Sequence, residues 1–357
     1  MGPTTQARSP ADPAADSVGA MTWLSELGAT SPVVAAPMAG GPTTPELVLA
    51  AAEAGSLGFV AAGYLTAEAL GDELARVRAE TELYGVNLFA PNPVPVDRGA
   101  YAAYRSLIGV EAERYGVELP AEPVENDDAW QDKLDLLAEH PAPIVSFTFG
   151  IPDAASLAAL RAAGSLLVQT VTSVDEARRA DQAGVDALAV QASAAGGHSG
   201  TLTPDVIPPE RPLTALVREV RAAVSLPLLG AGGIASADDV AAVLAAGADA
   251  AAVGTVLLLA DESGASAAHR AGLADHSRET AVMRGWTGRP ARGLRNSFSD
   301  AYEAAAPSGY PALHYLTRPL RRAAAAVADP ERVNLWAGTG YRAARQAPAA
   351  EILAALA

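Results

Sequence analysis

The fold is decided by the stretch PLLGAGGIASADDVAAVLAAGADAAAVGT, which spans residues 227–255. It begins and ends with short apolar runs that have the length of buried β-strands. Between these runs, Ser236–Ala246 has the spacing of a helix, with a capping serine at its start and Gly247 just past its end. A strand, a helix and a second strand in this order predict one βαβ unit of a parallel sheet.

The same alternation recurs along the chain. Thr44–Ala54, for example, has helical spacing, with Pro45 near its start and Gly55 just past its end. Eight apolar runs are predicted as strands: Val33–Met38, Leu57–Ala62, Tyr84–Phe89, Pro143–Phe149, Leu166–Val171, Ala187–Gln191, Pro227–Gly230 and Ala250–Thr255. Eight buried strands alternating with helices predict an α/β fold, a (β/α)8 TIM barrel with a fully parallel sheet. The alternative, a doubly wound open sheet, lacks the G-x-G-x-x-G that would open a helix after the first strand.

Two regions do not fit a plain barrel. Residues 91–140 form a long insertion after the third predicted strand, and residues 262–335 follow the eighth. We predict a (β/α)8 barrel domain over residues 21–261, interrupted by the insertion at about 91–140. A small helical second domain over 262–335 is predicted to cap the barrel mouth, and residues 336–357 are predicted to return to the barrel. Residues 1–20 are rich in Pro, Ala and Asp and are predicted to be a disordered tail.

Composition excludes several classes of function. The chain has 357 residues, a formal net charge of −16 and no cysteine. Nucleic acids and anionic membranes need a basic surface, so neither is an expected partner. Disulfides, thiolate metal sites and cysteine nucleophiles are absent, and the single lysine, Lys133, is predicted to lie on a solvated helix. Because no run approaches the roughly 18 apolar residues of a membrane span, we expect a cytoplasmic protein, and a homo-oligomer is left open.

A histidine follows the sixth predicted strand, in the small-residue loop ASAAGGHSG at residues 192–200. Glycines let a backbone approach a ligand closely, and histidine is the side chain best suited to proton exchange near neutral pH. At the carboxyl end of a barrel strand, this pattern favours His198 as a catalytic residue over a solvated histidine in a turn. The other histidines are predicted to be loop or surface residues: His140, His269, His276 and His314. Among these, His314, next to Tyr315, is the one that could reach the site. Three arginines after the eighth strand are predicted to form structural ion pairs, with contact to an anionic substrate as the alternative: Arg289, Arg292 and Arg295.

The remaining strand ends carry glycines with single amides and hydroxyls. Gly232 and Gly233 follow the seventh predicted strand, and Gly254 and Thr255 end the eighth, where barrel enzymes commonly bind phosphate. The rim has neither a carboxylate cluster nor a second histidine, so no metal site and no Ser-His-Asp triad is predicted. Such a rim suits a bulky planar cofactor held by backbone N–H groups.

Several motifs, taken in order and spacing, resemble bacterial nitronate monooxygenases, formerly called 2-nitropropane dioxygenases. The resemblance covers roughly residues 30–345 and rests on APMAGG (36–41), GVNLF (85–89), AGGHSG (195–200), AGGI (231–234), GT (254–255), TGRPARG (287–293) and LWAGTG (335–340). It implies a (β/α)8 barrel with a small second domain and non-covalently bound FMN. The family loop usually has a glutamate where this chain has Ala194, and often a basic residue where it has Ser199.

The resemblance also implies roles for individual residues. His198 would face the substrate beside the flavin. The implied FMN-binding set is Pro37, Met38 and Asn87 against the ring, Gly232, Gly233, Gly254 and Thr255 around the phosphate, and Thr170, Gln191, Gly196 and Gly197 at the neighbouring strand ends.

A nitronate is an electron-rich carbanion equivalent that can give one electron to oxidised flavin. Oxygen then intercepts the radicals, and a carbonyl compound and nitrite are released. His198 either holds the anionic nitro group or acts as a base on a neutral nitroalkane, and the sequence leaves both roles open. Three alternatives also stay open: an NAD(P)H-dependent FMN enoyl-acyl-carrier-protein reductase, a flavin-dependent quinone reductase, and a non-enzymatic flavin-binding protein with a degraded site.

Overall fold

The computed structural model describes residues 22–357, so the tail predicted for residues 1–20 lies outside the described residues. Eight parallel strands close into a barrel, which confirms the predicted fold, and each predicted apolar run overlaps one strand. In barrel order the strands are β1 (Val33–Ala35), β2 (Leu57–Ala61), β3 (Tyr84–Ala90), β4 (Ile144–Phe149), β5 (Leu166–Val171), β6 (Ala187–Gln191), β8 (Leu228–Ala231) and β9 (Ala250–Val253).

Two of the predicted strands were too long at their carboxyl ends. β1 stops before Pro37, which has no N–H group to continue the ladder. β9 stops before Gly254, and Thr255–Leu257 forms a short 3-10 helix instead. The Ala36 N–H still donates to the Val253 carbonyl at 2.9 Å, and the residues beyond Ala36 and Val253 turn into the mouth of the barrel.

Helices surround the barrel, and five of the eight begin after a residue whose side chain caps the first turn. The eight are α2 (Pro45–Glu53), α3 (Ala67–Arg78), α5 (Trp130–Glu139), α6 (Ala154–Ala162), α7 (Val174–Ala183), α8 (Leu213–Arg221), α9 (Ala237–Ala245) and α13 (Ala349–Ala354). Thr44, Ser173 and Ser236 accept the first-turn N–H groups of α2, α7 and α9. The inserted segment supplies α5, which packs between α3 and α6 in this ring. None of the described helices is long and apolar enough to cross a bilayer.

The barrel interior is filled below the mouth. Large apolar side chains from several strands, such as Phe59, Ile144 and Leu229, pack there in one cluster with Leu24 of α1 (Thr22–Glu26). At the carboxyl ends the strands change to glycine and small polar residues. Space for a ligand therefore lies at that end, as is usual for barrel enzymes.

A smaller unit covers the barrel mouth and contains a sheet as well as helices. Its helices are α4 (Arg98–Arg114), α10 (Ala267–Ala274), α11 (Ser297–Tyr302) and α12 (Ala312–Ala326), and short 3-10 turns lie at Glu303–Ala305, Pro330–Arg332 and Tyr341–Ala343. Its antiparallel sheet has the order β10 (Thr280–Met283), β11 (Ala291–Leu294), β7 (Gly197–His198). The sequence prediction of helices did not include this sheet, because strands of two to four residues are too short to show a period.

Candidate active site

A cavity of about 540 Å³ lies at the carboxyl ends of the barrel strands. Its walls come from the barrel loops, from α12 and from the segment that contains Trp336. The structure brings all twelve predicted site residues to this cavity: Pro37, Met38, Asn87, Thr170, Gln191, Gly196, Gly197, His198, Gly232, Gly233, Gly254 and Thr255. Their shared location agrees with one site, while the role of each stays a prediction.

His198 is held in place by a hydrogen bond and by aromatic neighbours. It lies on β7, which pairs with β11, and its Nε2 is 2.9 Å from Thr287 Oγ1. The rings of Phe149 and Tyr310 lie 5.7 Å from the imidazole, and that of Trp336 lies 5.4 Å away. The sheet and these rings fix the imidazole at the cavity wall.

The surroundings of His198 keep its imidazole neutral. Burial among the aromatic rings lowers the pKa of His198 to about 3, and the positive charges of Arg289 and Arg321 act in the same direction. The Thr287 hydroxyl can donate to the Arg289 carbonyl, 3.4 Å away, and then accepts from Nε2–H. Nδ1 is in that case the unprotonated nitrogen, and it has no hydrogen-bond partner within residues 22–357.

Gln191 fixes the loop that carries His198. Its Oε1 accepts the N–H of Gly200 at 2.7 Å, and its Nε2 donates to the carbonyl of His198 at 3.2 Å. Both halves of the amide are therefore engaged by the loop. The loop is also close-packed, since a Cβ on Gly200 would lie 2.5 Å from Thr170 Cγ2.

A chain of polar side chains crosses the ends of β3, β4 and β5. Asn87 Nδ2 donates to Ser146 Oγ at 2.9 Å and to Thr148 Oγ1 at 3.1 Å, and Thr148 lies 3.4 Å from the Thr170 hydroxyl. Because the amide nitrogen is used in this way, Asn87 Oδ1 remains as an acceptor. This oxygen has no protein donor in the described part of the chain, and it is not buried out of reach of a ligand.

Backbone N–H groups without protein acceptors converge after β8. Gly232 and Gly233 have φ angles of +121° and +78°, which favour glycine. Within the described range, neither N–H group donates to a protein acceptor. Thr255 Oγ1 accepts the N–H of Gly338 at 2.9 Å, which leaves its hydroxyl hydrogen free to donate. These donors form a concave site for an anion such as a phosphate.

The start of α9 does not contribute donors to this anion site. Ser236 Oγ accepts the N–H of Asp239, and Asp239 Oδ2 accepts from the Ala235 N–H at 3.0 Å and the Ser236 hydroxyl at 2.8 Å. The first turn is thus capped by its own side chains and carries carboxylates. The glycine loops, rather than the helix terminus, supply the donors.

The charge of the cavity wall is opposite to that of the chain. The wall has no aspartate or glutamate among the described residues, although the chain has 41. Three arginines of α12 line it, Arg318, Arg321 and Arg322, and none has an ion-pair partner in the part of the chain that the structure describes. A wall of unpaired cations and N–H donors favours anionic ligands. No group of three metal-ligating side chains occurs in residues 22–357.

Comparison with known proteins agrees with this site. A family model described as nitronate monooxygenase matches residues 21–357. The chain belongs to the nitronate monooxygenase family. Members of this family are flavin-dependent oxidoreductases.

Individual relatives cover nearly the whole chain. A probable nitronate monooxygenase from Staphylococcus aureus (strain Newman) is 33% identical over 328 residues, which are 90% of this chain and 92% of the relative. The structure of a nitroalkane oxidase from Streptomyces ansochromogenes is 43% identical, has a TM-score of 0.87 and is matched over 94% of this chain and 96% of that chain. FabK from Thermotoga maritima, at 24% identity and a TM-score of 0.73 over 94% of each chain, shares the fold.

Sequence reasoning missed several cavity residues of this nitronate monooxygenase family member. Thr287 and Gly338 lie within motifs that carried the resemblance but had no predicted role. Gly338 is needed for close packing, because a Cβ there would lie 2.6 Å from the Ala194 carbonyl oxygen. A glycine in the LWAGTG motif could have indicated such a close contact with another loop of the site.

Two histidines predicted at the surface are buried. His269 is 8% exposed, and its Nε2 lies 2.9 Å from the Trp336 carbonyl oxygen. His314 is 5% exposed and lines the cavity, so the prediction of a rim without a second histidine was wrong. His314 was misplaced because α12 buries polar residues, such as His314 and Thr317, beside its apolar face. Hydrophobic periodicity in the sequence reveals only the apolar face.

The arginine predictions were correct for two of three residues. Arg292 pairs with Glu210 at 2.9 Å, and Arg295 pairs with Asp300 at 2.8 Å. Arg289 has no carboxylate partner in the described range; its guanidinium lies 4.0 Å from the Phe149 ring centroid and donates to backbone carbonyls. It acts as a buried positive charge behind His198.

Lys133 is buried, which overturns its prediction as a solvated residue. It is 1% exposed, and its Nζ donates to Asp128 Oδ2 at 2.7 Å and to the Ala62 carbonyl at 2.9 Å. Asp128 Oδ1 accepts the N–H of Tyr64 at 2.8 Å. This ion pair ties the inserted segment to the end of β2 and holds Tyr64, whose φ is +70°, against the cavity.

Proposed function

We propose that this chain is an FMN-dependent nitronate monooxygenase that oxidises alkyl nitronates with O2 to a carbonyl compound and nitrite. The observation that carries the proposal is the position of a neutral His198 in a cavity of unpaired N–H donors and arginines without a carboxylate. Such a cavity suits both an anionic cofactor and an anionic substrate. Membership of the nitronate monooxygenase family supports the same assignment.

The residues fit FMN. The free N–H groups of Gly232 and Gly233 and the hydroxyl of Thr255 suit a phosphate dianion, and Asn87 Oδ1 suits a ring N–H donor. Pro37 and Met38 at the end of β1 supply apolar surface for the ring. When bound, the flavin supplies the electron-accepting chemistry between the nitronate and O2.

The cavity also suits the substrate. A nitronate carries its negative charge on the nitro oxygens, and the unpaired Arg318, Arg321 and Arg322 attract that charge. The relative from Streptomyces ansochromogenes is named a nitroalkane oxidase, which supports the neutral nitroalkane as a second substrate form. The aromatic rings of Phe149, Tyr310 and Trp336 exclude water from the reacting carbon.

We assign His198 as the base for neutral nitroalkanes. Its Nδ1 is unprotonated when Nε2–H donates to Thr287, and a neutral imidazole can accept a proton without first losing one. Thr287 is then a positioning residue that selects the tautomer. Preformed nitronates need no proton transfer and bypass this step.

The test is anaerobic mixing of the purified yellow protein with ethyl nitronate and, separately, with NADH, followed by flavin absorbance. Bleaching by the nitronate and not by NADH, with nitrite released once O2 is admitted, is the expected result. Bleaching by NADH alone would favour an enoyl or quinone reductase. A colourless protein that does not take up FMN, or one that contains FAD, would refute the cofactor assignment.

A further inference from the structure

His314 lies in the cavity wall with its ring plane fixed. It sits on the first turn of α12, is 5% exposed, and stacks on Tyr64 with a centroid separation of 4.2 Å and an interplanar angle of 5°. Tyr64 is in turn held through its N–H by Asp128. The imidazole can therefore slide or tilt little without breaking this stack.

Arg321 determines which nitrogen of His314 carries the hydrogen. Arg321 Nη2 lies 3.3 Å from His314 Nδ1 and 2.8 Å from the His314 carbonyl oxygen. A guanidinium can only donate hydrogen bonds, so Nδ1 is the acceptor and Nε2 carries the hydrogen. Arg321 is itself oriented by the Thr317 hydroxyl at 3.0 Å and by Asn334 Oδ1 at 3.2 Å.

The Nε2–H group of His314 has no acceptor within residues 22–357. The group is not fully buried, and because His314 lines the cavity, the Nε2–H is accessible from it. Burial holds the pKa of His314 well below its ordinary value, and Arg321 acts in the same direction. His314 is thus a neutral donor in a fixed orientation, with its bond to a ligand still to be made.

We infer that His314 donates its Nε2–H to a nitro oxygen of the substrate and is a second catalytic residue beside His198. This inference rests on the proposed function. Both imidazoles lie against the ring of Tyr310, with centroid separations of 5.7 Å for His198 and 6.5 Å for His314. Loss of a proton from the α-carbon places negative charge on the nitro oxygens, so a fixed donor there stabilises the transition state more than the neutral substrate.

The two histidines then have separable roles. His198 takes the proton from carbon, whereas His314 binds the oxygen on which the charge develops. Removing His198 affects mainly the substrate form that must be deprotonated. Removing the His314 donor affects both forms, because both present a nitro oxygen to it.

The experiment compares H314F, which keeps a ring to stack on Tyr64, with H314Q, which restores an N–H donor. The matched control is H140F, because His140 is exposed and outside the cavity. The first readout is the Kd of propionate, an inert carboxylate with the shape of ethyl nitronate, from its perturbation of the flavin spectrum. The second is the anaerobic rate of flavin bleaching by ethyl nitronate and by nitroethane.

We expect H314F to keep its FMN, to bind propionate about 10- to 100-fold more weakly, and to lose rate with both substrate forms, as for a lost hydrogen bond to a charged acceptor. H314Q should recover most of the affinity, and H140F should match the parent. Equal propionate affinity and rates in H314F and the parent would overturn the inference. An H314Q variant as impaired as H314F would also overturn it. Loss of FMN in both H314F and H314Q would overturn it too, and would assign His314 to cofactor binding. If propionate binding weakens in H314F but the parent oxidises no nitronate, the anion contact stands and the proposed function fails.

Discussion

Gly233→Ala tests the phosphate site with the smallest possible side chain. Its φ of +78° costs a non-glycine residue about 1–2 kcal/mol. The new Cβ would lie 3.1 Å from both Ala194 Cβ and Thr339 Oγ1, so the loop must shift by a few tenths of an ångström. A shift that breaks one N–H bond to a phosphate costs about 1.5–3 kcal/mol, which weakens FMN binding about 10- to 150-fold.

The matched control for this prediction is Gly184→Ala at the end of α7. Its φ of +85° imposes the same backbone strain, but a Cβ there meets no atom within 4 Å and the site is outside the cavity. Urea unfolding of both apoproteins should show similar losses of stability. FMN titration of the apoproteins, followed by flavin fluorescence, should show weakened binding in Gly233→Ala alone. Equal FMN affinity in the two variants would place the phosphate elsewhere.

Three further outcomes are expected. His198→Ala should keep FMN and lose about 10²- to 10⁴-fold in its rate on neutral nitroalkanes, with a smaller loss of rate on nitronates. An equal loss of rate on both forms in steady-state assays would remove proton abstraction from the mechanism. Lys133→Met should lower the free energy of unfolding by about 3–5 kcal/mol, because the Asp128 carboxylate loses its partner. Adding Asp128→Asn should restore most of the lost stability, as measured by urea unfolding. A double variant no more stable than Lys133→Met would contradict this explanation. Burial lowers the pKa of His269 to about 4, so its contribution to stability is complete above about pH 6.5 and is lost as pH falls from 6.5 towards 4. His269→Gln should flatten that loss by up to about 1.4 kcal/mol per pH unit, and identical urea midpoints against pH in both proteins would count against it.

The barrel could be predicted because its strands are buried on both faces and read as continuous apolar runs. The cap of α9 was equally visible, since Ser236 acts on the N–H of Asp239, three positions away. Topology then placed the strand ends at one site. The cavity residues on the barrel loops followed from that rule.

The parts that were not predicted depend on contacts between distant segments. Lys133 is buried because it meets the carbonyl of Ala62, which is 71 positions away, and no local pattern reveals that partner. The buried state of His314 depends on Tyr64 and Arg321 together. β7 has two residues and exists only because β11 crosses the barrel mouth beside it. Local signals located the loops of the site, and long-range packing decided what covers them.

A pKa of about 3 makes His198 a weak base in a cavity without a substrate anion. Proton transfer from a nitroalkane, however, creates an imidazolium and a nitronate together, so the net charge of the cavity is unchanged. Arg289 and Arg321 oppose the first charge and favour the second. Because the two charges form side by side, burial penalises the pair less than either ion alone. The positive field that lowers the basicity of His198 thus raises the acidity of the nitroalkane, and a neutral histidine can serve as base in a cavity built for anions.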